Sequence, residues 1–231
     1  MVDRFIHRWA RYDTVVVCFV SFLLLSNITA TKIIAIPLGF IDLIFDGGVI
    51  LFPFTYIIGD VLTEVYGLKR ARRAIFLGFF ISILASLTLI IVQYAPPAPE
   101  YANQEAFAAV LGFVPRIVAA SLCAYLIGQL LNAHVLAKMK EATSGRHLWA
   151  RLIGSTIIGE GADTIIFCLI AFGGVLSSGV MVNYILVGFA SKVAIEVVLL
   201  PVTYRVIAIF RRTHANRRVS DTSSRGLPLD L

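Results

Sequence analysis

Charge is what this chain has least of. Only 15 % of its 231 residues are Asp, Glu, Lys or Arg, where soluble domains carry about 25 %. Together with 58 % hydrophobic residues, that shortage excludes an ordinary globular balance. Cysteine is scarce too. Cys18, Cys123 and Cys168 show no CxxC or metal-ligand spacing, and each lies in an apolar run, where it reads as a small packing residue. The four histidines, His7, His134, His147 and His214, are scattered at or beyond the ends of apolar runs, so Ser155 and Asp163 find no base with which to form a catalytic set. HExxH, GxSxG, phosphate-binding and dinucleotide-binding patterns are absent. The residues therefore point to no enzyme, no cofactor and no metal, and the chain alone carries no motif for ATP hydrolysis.

Long apolar runs dominate instead. A bilayer core of about 30 Å needs roughly 20 mostly apolar residues in a helix. Six stretches approach that length, at about 14–36, 49–66, 74–94, 112–134, 152–175 and 181–210. The first is no cleavable signal peptide in this reading, because it is too long, lacks an A-x-A site and is followed by further runs. The fold class expected is all-α, a polytopic membrane protein with six transmembrane helices. Residues 1–13 form an N-terminal segment, 14–210 the transmembrane domain and 211–231 a basic, disordered tail. Residues 37–48, PLGFIDLIFDGG, are expected as a short interfacial or re-entrant piece.

Basic residues alternate between connections. Arg4, Arg8 and Arg11, then Lys69, Arg70, Arg72 and Arg73, then Lys138, Lys140, Arg146 and Arg151, and finally Arg211, Arg212, Arg217 and Arg218 fall on one side. The opposite connections, 37–48, 95–111 and 176–180, hold no lysine or arginine but carry Asp42, Asp46, Glu100 and Glu105. By the positive-inside rule both termini are cytoplasmic. The net charge of +6 thus belongs to membrane orientation and lipid head groups, not to nucleic acid.

Ionisable residues inside the spans carry the functional argument, since a charge in hydrocarbon costs several kcal/mol and belongs in a bundle interior. Asp60 and Glu64 share a helix face with Tyr56 one turn earlier. They are candidates for proton coupling, or for plain pairing with nearby arginines. Glu160 and Asp163 stand near mid-span with Ser155, Thr164 and Phe167, among glycines 154, 159 and 161. Lys192 has Glu196 one turn on, and Lys32 and Arg116 lie near span ends. Asn27, Gln129 and Asn132 add amides, as ligand contacts or as interhelical glue. The run 74–94 holds only Ser82, Ser86 and Thr88 well inside it and reads as a lipid-facing or packing helix.

Five segments then carry a resemblance: LLLSNITATKI at 23–33, FPFTYIIGDVLTEVYGLKRARR at 52–73, PRIVAASLCAYLIGQLLNAHVLAKMK at 115–140, LWARLIGSTIIGEGADTIIF at 148–167 and LVGFASKVAIEVVLLPVTYRV at 186–206. In order and spacing over about 12–210 the chain resembles the queuosine precursor transporters, also described as the vitamin uptake transporter family. The resemblance implies a bacterial inner-membrane importer of 7-cyano-7-deazaguanine or a related 7-deazapurine, with no direct nucleic-acid contact. It places emphasis on Asn27, Asp60, Glu64, Arg116, Gln129, Asp163 and Lys192. At two positions the chain departs from the family pattern. Glu160 stands where relatives carry glutamine, and Asn132 where aspartate is frequent. Tyr56 or Phe167 is expected to stack on the ring, with Glu160 or Asp163 accepting its N–H groups. Three mechanisms stay open: a secondary transporter coupled to protons, a substrate-binding component of an energy-coupling-factor system with partner subunits, and a structural or assembly protein whose charges form only salt bridges. A homo-oligomer stays open as well.

Overall fold

The computed structural model describes residues 11–39, 42–142 and 148–224. Arg4, Arg8, His7, Arg146, His147 and the last residues of the tail lie outside these, as do the side chains of Tyr56, Arg151, Glu196, Arg217 and Arg218. The elements in chain order are α1 (Tyr12–Thr29), β1 (Ile33–Pro37), β2 (Asp42–Asp46), a 3-10 turn (Gly47–Ile50), α2 (Phe52–Tyr66), α3 (Leu68–Tyr94), α4 (Gln104–Leu111), α5 (Val114–Ala142), α6 (Leu148–Phe172) and α7 (Ser178–Ser224). Among the described residues, five helical stretches are long and apolar enough to cross a membrane: 12–29, 68–94, 104–139, 154–172 and 178–212. The chain is thus a predominantly helical, multi-pass membrane protein. At 15 residues, α2 rises about 22 Å, short of the roughly 30 Å hydrocarbon core.

The first span ends earlier than its hydropathy suggests. Thr29 Oγ1 and Thr31 Oγ1 donate to the carbonyls of Ser26 and Ile28, at 3.2 and 2.7 Å, offering the backbone a local alternative to further helix. The β-branched run that follows suits an extended chain, and Pro37 cannot continue a helix. Residues 33–37 therefore pair antiparallel with 42–46, Ile33 opposite Asp46 and Pro37 opposite Asp42. Helix was expected through 36, and a strand is found from Ile33. Lys32 is consequently not an intramembrane charge of α1. It is exposed in the turn before the hairpin. One further expectation changes: α7 continues through Ser224 where composition suggested an unstructured tail from 211. The connection at 95–111 contains a helix, α4.

Lipid exposure is written along α3. Phe76, Phe80, Leu84, Leu87 and Ile91 recur at spacings of three and four and are all exposed, while Ser82 and Ser86 on the other side are buried. In water such a stripe would be a large apolar liability. In hydrocarbon it costs nothing. The packing-or-lipid reading of this helix stands.

The chain divides into two compact units. One comprises residues 1–25, 50–81 and 194–231. Its core is Val15, Val16, Val61, Leu62, Ala71 and Ala74, with Tyr12, Tyr66, Val206 and Phe210 packed around it. The Tyr12 hydroxyl donates to the Arg70 carbonyl at 3.0 Å. The other comprises 26–49 and 82–193, with a core of Ile117, Ala120, Cys168, Ala171, Phe172, Met181 and Tyr184. The free, buried Cys168 is the packing residue its apolar surroundings suggest.

Candidate functional site

In the second unit, α5 and α6 approach along glycines. A Cβ on Gly159 would lie 2.8 Å from Asn132 Cβ and 3.0 Å from the Gly128 carbonyl. One on Gly128 would lie 3.0 Å from both Asp163 Cβ and the Gly159 carbonyl. Only side-chain-free positions permit this closeness, so the seam brings Asn132 of α5 and Asp163 of α6 against the facing backbone. Gly161 takes no part, since a Cβ there would meet nothing nearer than Phe189 at 3.9 Å.

Asp163 is turned toward α7. Lys192 Nζ donates to Asp163 Oδ2 at 2.6 Å and lies 3.8 Å from Glu160 Oε2. Glu160 and Asp163 are three apart and share a helix face. One lysine thus serves two carboxylates, and the trio carries a net charge of −1 when all three are ionised. The sequence paired Lys192 with Glu196 as its bland reading. The Glu196 side chain lies outside the described set, and the partners described are on α6. Lys192 keeps 16 % of its side chain accessible, Asp163 26 % and Glu160 32 %, so the group is desolvated but not sealed. On α5, Asn132 Oδ1 is buried and accepts no hydrogen bond from any described residue.

Other candidates have separate roles. Asn27, buried near the end of α1, accepts from Ser121 Oγ at 3.0 Å, the interhelical amide glue of its bland reading. Arg116 does not present a free positive group. Its Nε donates to the Ile170 carbonyl at 2.7 Å and an Nη to the Gly173 carbonyl, so the guanidinium satisfies the carbonyls left over at the end of α6. Phe167 packs edge-on to Phe172 at 6.0 Å beside the apolar core. Gln129 is exposed on α5.

Glu64 and Asp60 belong to the first unit. Glu64 is paired with Arg211, both more than half exposed, an arginine from the far end of the chain and not one of the adjacent arginines expected for it. Asp60 is exposed on α2. Tyr56 lies in the same helix, and its side chain is outside the described set.

One charged residue of note escaped the sequence reading. Asp46, taken there for an acidic loop residue, is only 3 % exposed. Its Oδ1 accepts from the Gly48 N–H at 2.7 Å and its Oδ2 from the Tyr184 hydroxyl. The signal was present in DGG at 46–48. Gly47 and Gly48 are both buried, and a Cβ on Gly48 would sit 2.7 Å from Asp46 Oδ1 and 2.9 Å from Ser26 Oγ. Asp46 lies in the hairpin connection between α1 and α2. Burial pushes its carboxyl above the usual range, against the opposing pull of the Tyr184 and Gly48 hydrogen bonds and the Lys192 charge.

Apolar helices with paired lysine and carboxylates along their length define a multi-pass membrane protein. The chain belongs to a transporter family: residues 46–206 match the family described as "Putative vitamin uptake transporter". It is 33 % identical over 160 residues to the "Probable queuosine precursor transporter" of Bacillus subtilis (strain 168), covering 68 % of this chain and 69 % of the relative. It is 29 % identical over 151 residues to the "Queuosine precursor transporter" of Escherichia coli (strain K12), covering 65 % and 66 %. A Haemophilus influenzae relative, named "Probable queuosine precursor transporter", is 29 % identical over 125 residues, covering 54 % of this chain and 51 % of the relative. No solved structure matches. The family resemblance read from the five segments is thereby established, and the protein is a transporter, not an enzyme.

Proposed function

We propose that the protein imports a queuosine precursor, 7-cyano-7-deazaguanine or a closely related 7-deazapurine, across the bacterial cytoplasmic membrane as a secondary transporter. The observation that carries this reading is the Lys192–Asp163–Glu160 trio on facing helices of a chain whose relatives bear that name. A deazaguanine offers adjacent ring N–H and exocyclic amine donors. A carboxylate is an acceptor-only group suited to both. Glu160 and Asp163, at 3.8 and 2.6 Å from Lys192 Nζ, are the carboxylates offered to the ring, and the buried Asn132 Oδ1 is a neighbouring acceptor. Phe167 is the stacking candidate. Of the two departures, Asn132 lies on the tight α5–α6 seam and Glu160 stands 3.8 Å from Lys192 of α7. Six crossings, with α2 as a short sixth and both ends cytoplasmic, agree with the distribution of basic residues.

The test is uptake of labelled 7-cyano-7-deazaguanine by proteoliposomes holding only this protein, with and without an inward proton gradient. Saturable, gradient-stimulated uptake is expected, with loss in Asp163→Asn at normal membrane insertion. Full uptake in that variant would remove Asp163 from the site. No uptake by folded wild type would refute autonomous transport of this compound.

A further inference from the structure

Three groups converge on the hairpin. Asp46 at the end of β2 accepts from Tyr184 of α7, Asp42 accepts through its carbonyl from Asn183 Nδ2 at 2.9 Å, and Ser26 Oγ of α1 donates to the Gly48 carbonyl at 3.4 Å. The hairpin is therefore tied to two helices beside one buried carboxylate. Among the described residues no cation is paired with Asp46. Both of its oxygens are held by neutral donors.

The face of α7 that holds Asp46 also holds the ion trio. Tyr184, Gly188 and Lys192 follow at intervals of four, so about 12 Å separates the first from the last. Along that face Tyr184 meets Phe172 at 5.1 Å between ring centroids, a Cβ on Gly188 would meet Thr164 at 3.6 Å, and Lys192 meets Asp163. The charged and titratable groups that act on Asp46 are Tyr184 and Lys192 of α7, and Cys168 of α6 lies in its field. Only Lys192 among them is cationic, and it is engaged by Asp163 and Glu160.

We infer that Asp46 is the carrier of the coupling proton, loaded from the aqueous face at the hairpin and sensed at the solute site through the Tyr184–Lys192 face of α7. The inference rests on the secondary-transport reading given above. In the loading step a hydronium ion gives its proton to Asp46 Oδ2, leaving water and a neutral carboxyl. The Tyr184 hydroxyl then loses its anionic acceptor, and its hydrogen bond weakens or reverses. Lys192 loses the attraction of one distant negative charge and keeps its contacts with Asp163 and Glu160. Return of the proton to water on the other face restores the carboxylate. A carboxylate whose two oxygens are held by neutral donors does this better than one clamped by arginine, because the cation that opposes its protonation, Lys192, acts on it only from a distance. Glu64, paired with Arg211, is the opposite case.

Two measurements test this. The first is proteoliposome transport of 7-cyano-7-deazaguanine. A one-proton cycle on a gradient of about one pH unit supports about tenfold accumulation in wild type. Asp46→Asn is expected to bind and exchange the labelled compound but to lose accumulation altogether. Wild-type accumulation in Asp46→Asn overturns the inference. The second needs no solute: infrared titration of the detergent-solubilised protein should show a carboxyl C=O band that titrates above the ordinary aspartate range and is missing from Asp46→Asn. Absence of such a band overturns the inference too. Should Asp46→Asn not fold, Tyr184→Phe replaces it, and the midpoint of that band is expected to move to higher pH as the carboxylate loses a donor. An unmoved midpoint refutes the link to α7. Wild type that shows the band but no uptake would sink the proposed solute and leave the proton site standing.

Discussion

Lys192→Met removes a cation from between two carboxylates while keeping most of the side-chain volume. The lysine makes a charge-assisted hydrogen bond to Asp163 at 2.6 Å and a looser contact with Glu160 at 3.8 Å. Hydrogen bonds to charged groups contribute about 1.5–3 kcal/mol, and stripping the partner from a fully buried pair costs about 3–5 kcal/mol. Here each carboxylate retains between a quarter and a third of its side-chain accessibility, which lets water recover part of the loss. The expected destabilisation is therefore about 2–4 kcal/mol, a factor of roughly 30 to several hundred in the unfolding equilibrium. Repulsion between Glu160 and Asp163, unscreened once the lysine is gone, sits within that figure. The assay is unfolding in detergent at neutral pH, followed by a double-mutant cycle with Asp163→Asn. Lys192→Met with Asp163→Asn should regain much of the loss, because it leaves one carboxylate fewer to desolvate. A single variant as stable as wild type would refute the energetic account of the trio. So would a double variant no better than the single.

Gly159→Ala should cost about 1–3 kcal/mol, since its Cβ would overlap Asn132, whereas Gly161→Ala should be close to neutral, and equal losses at both in unfolding experiments would refute the seam. Arg116→Leu should cost about 2–3 kcal/mol by stranding the Ile170 and Gly173 carbonyls, while Arg116→Lys, which restores a cation but not the fork, should recover only part. Glu64→Gln should change stability by less than about 1 kcal/mol, because its pairing with Arg211 is exposed, and a loss of several kcal/mol would contradict that geometry. For Asp46, a folded-state value above 3.8 means that the native protein binds more protons than the unfolded one. Stability is thus fully present below that value and falls as pH rises toward the folded value, a slope that Asp46→Asn should abolish in pH-dependent unfolding.

How much could be read beforehand differs by residue. The trio's two carboxylates and its lysine were legible because isolated charges in apolar runs have few reasons to be there. Which partner Lys192 would choose was not legible. A helix neighbour, Glu196, is apparent from spacing, but a partner across a packed interface depends on tertiary register. Arg116 stayed open for a related reason. A guanidinium near a span end reads equally as an entrance charge or a snorkelling side chain, and only the facing carbonyls of α6 decide. Helix was expected through Ile36 because hydropathy counts apolar residues without asking whether they are β-branched. Asp46 was missed because an aspartate before two glycines in a connection looks like solvent-exposed turn chemistry, and its burial comes from Tyr184, 138 residues away.

The glycine seam has a mechanical consequence. Where Gly128 and Gly159 let backbone meet backbone, no flexible side chain stands between α5 and α6 to rearrange, so the two helices act as a single strut. Spin labels placed on the outward faces of α5 and α6 should therefore report one unchanging separation through every stage of a working cycle. Whatever motion passes a solute has its moving parts elsewhere.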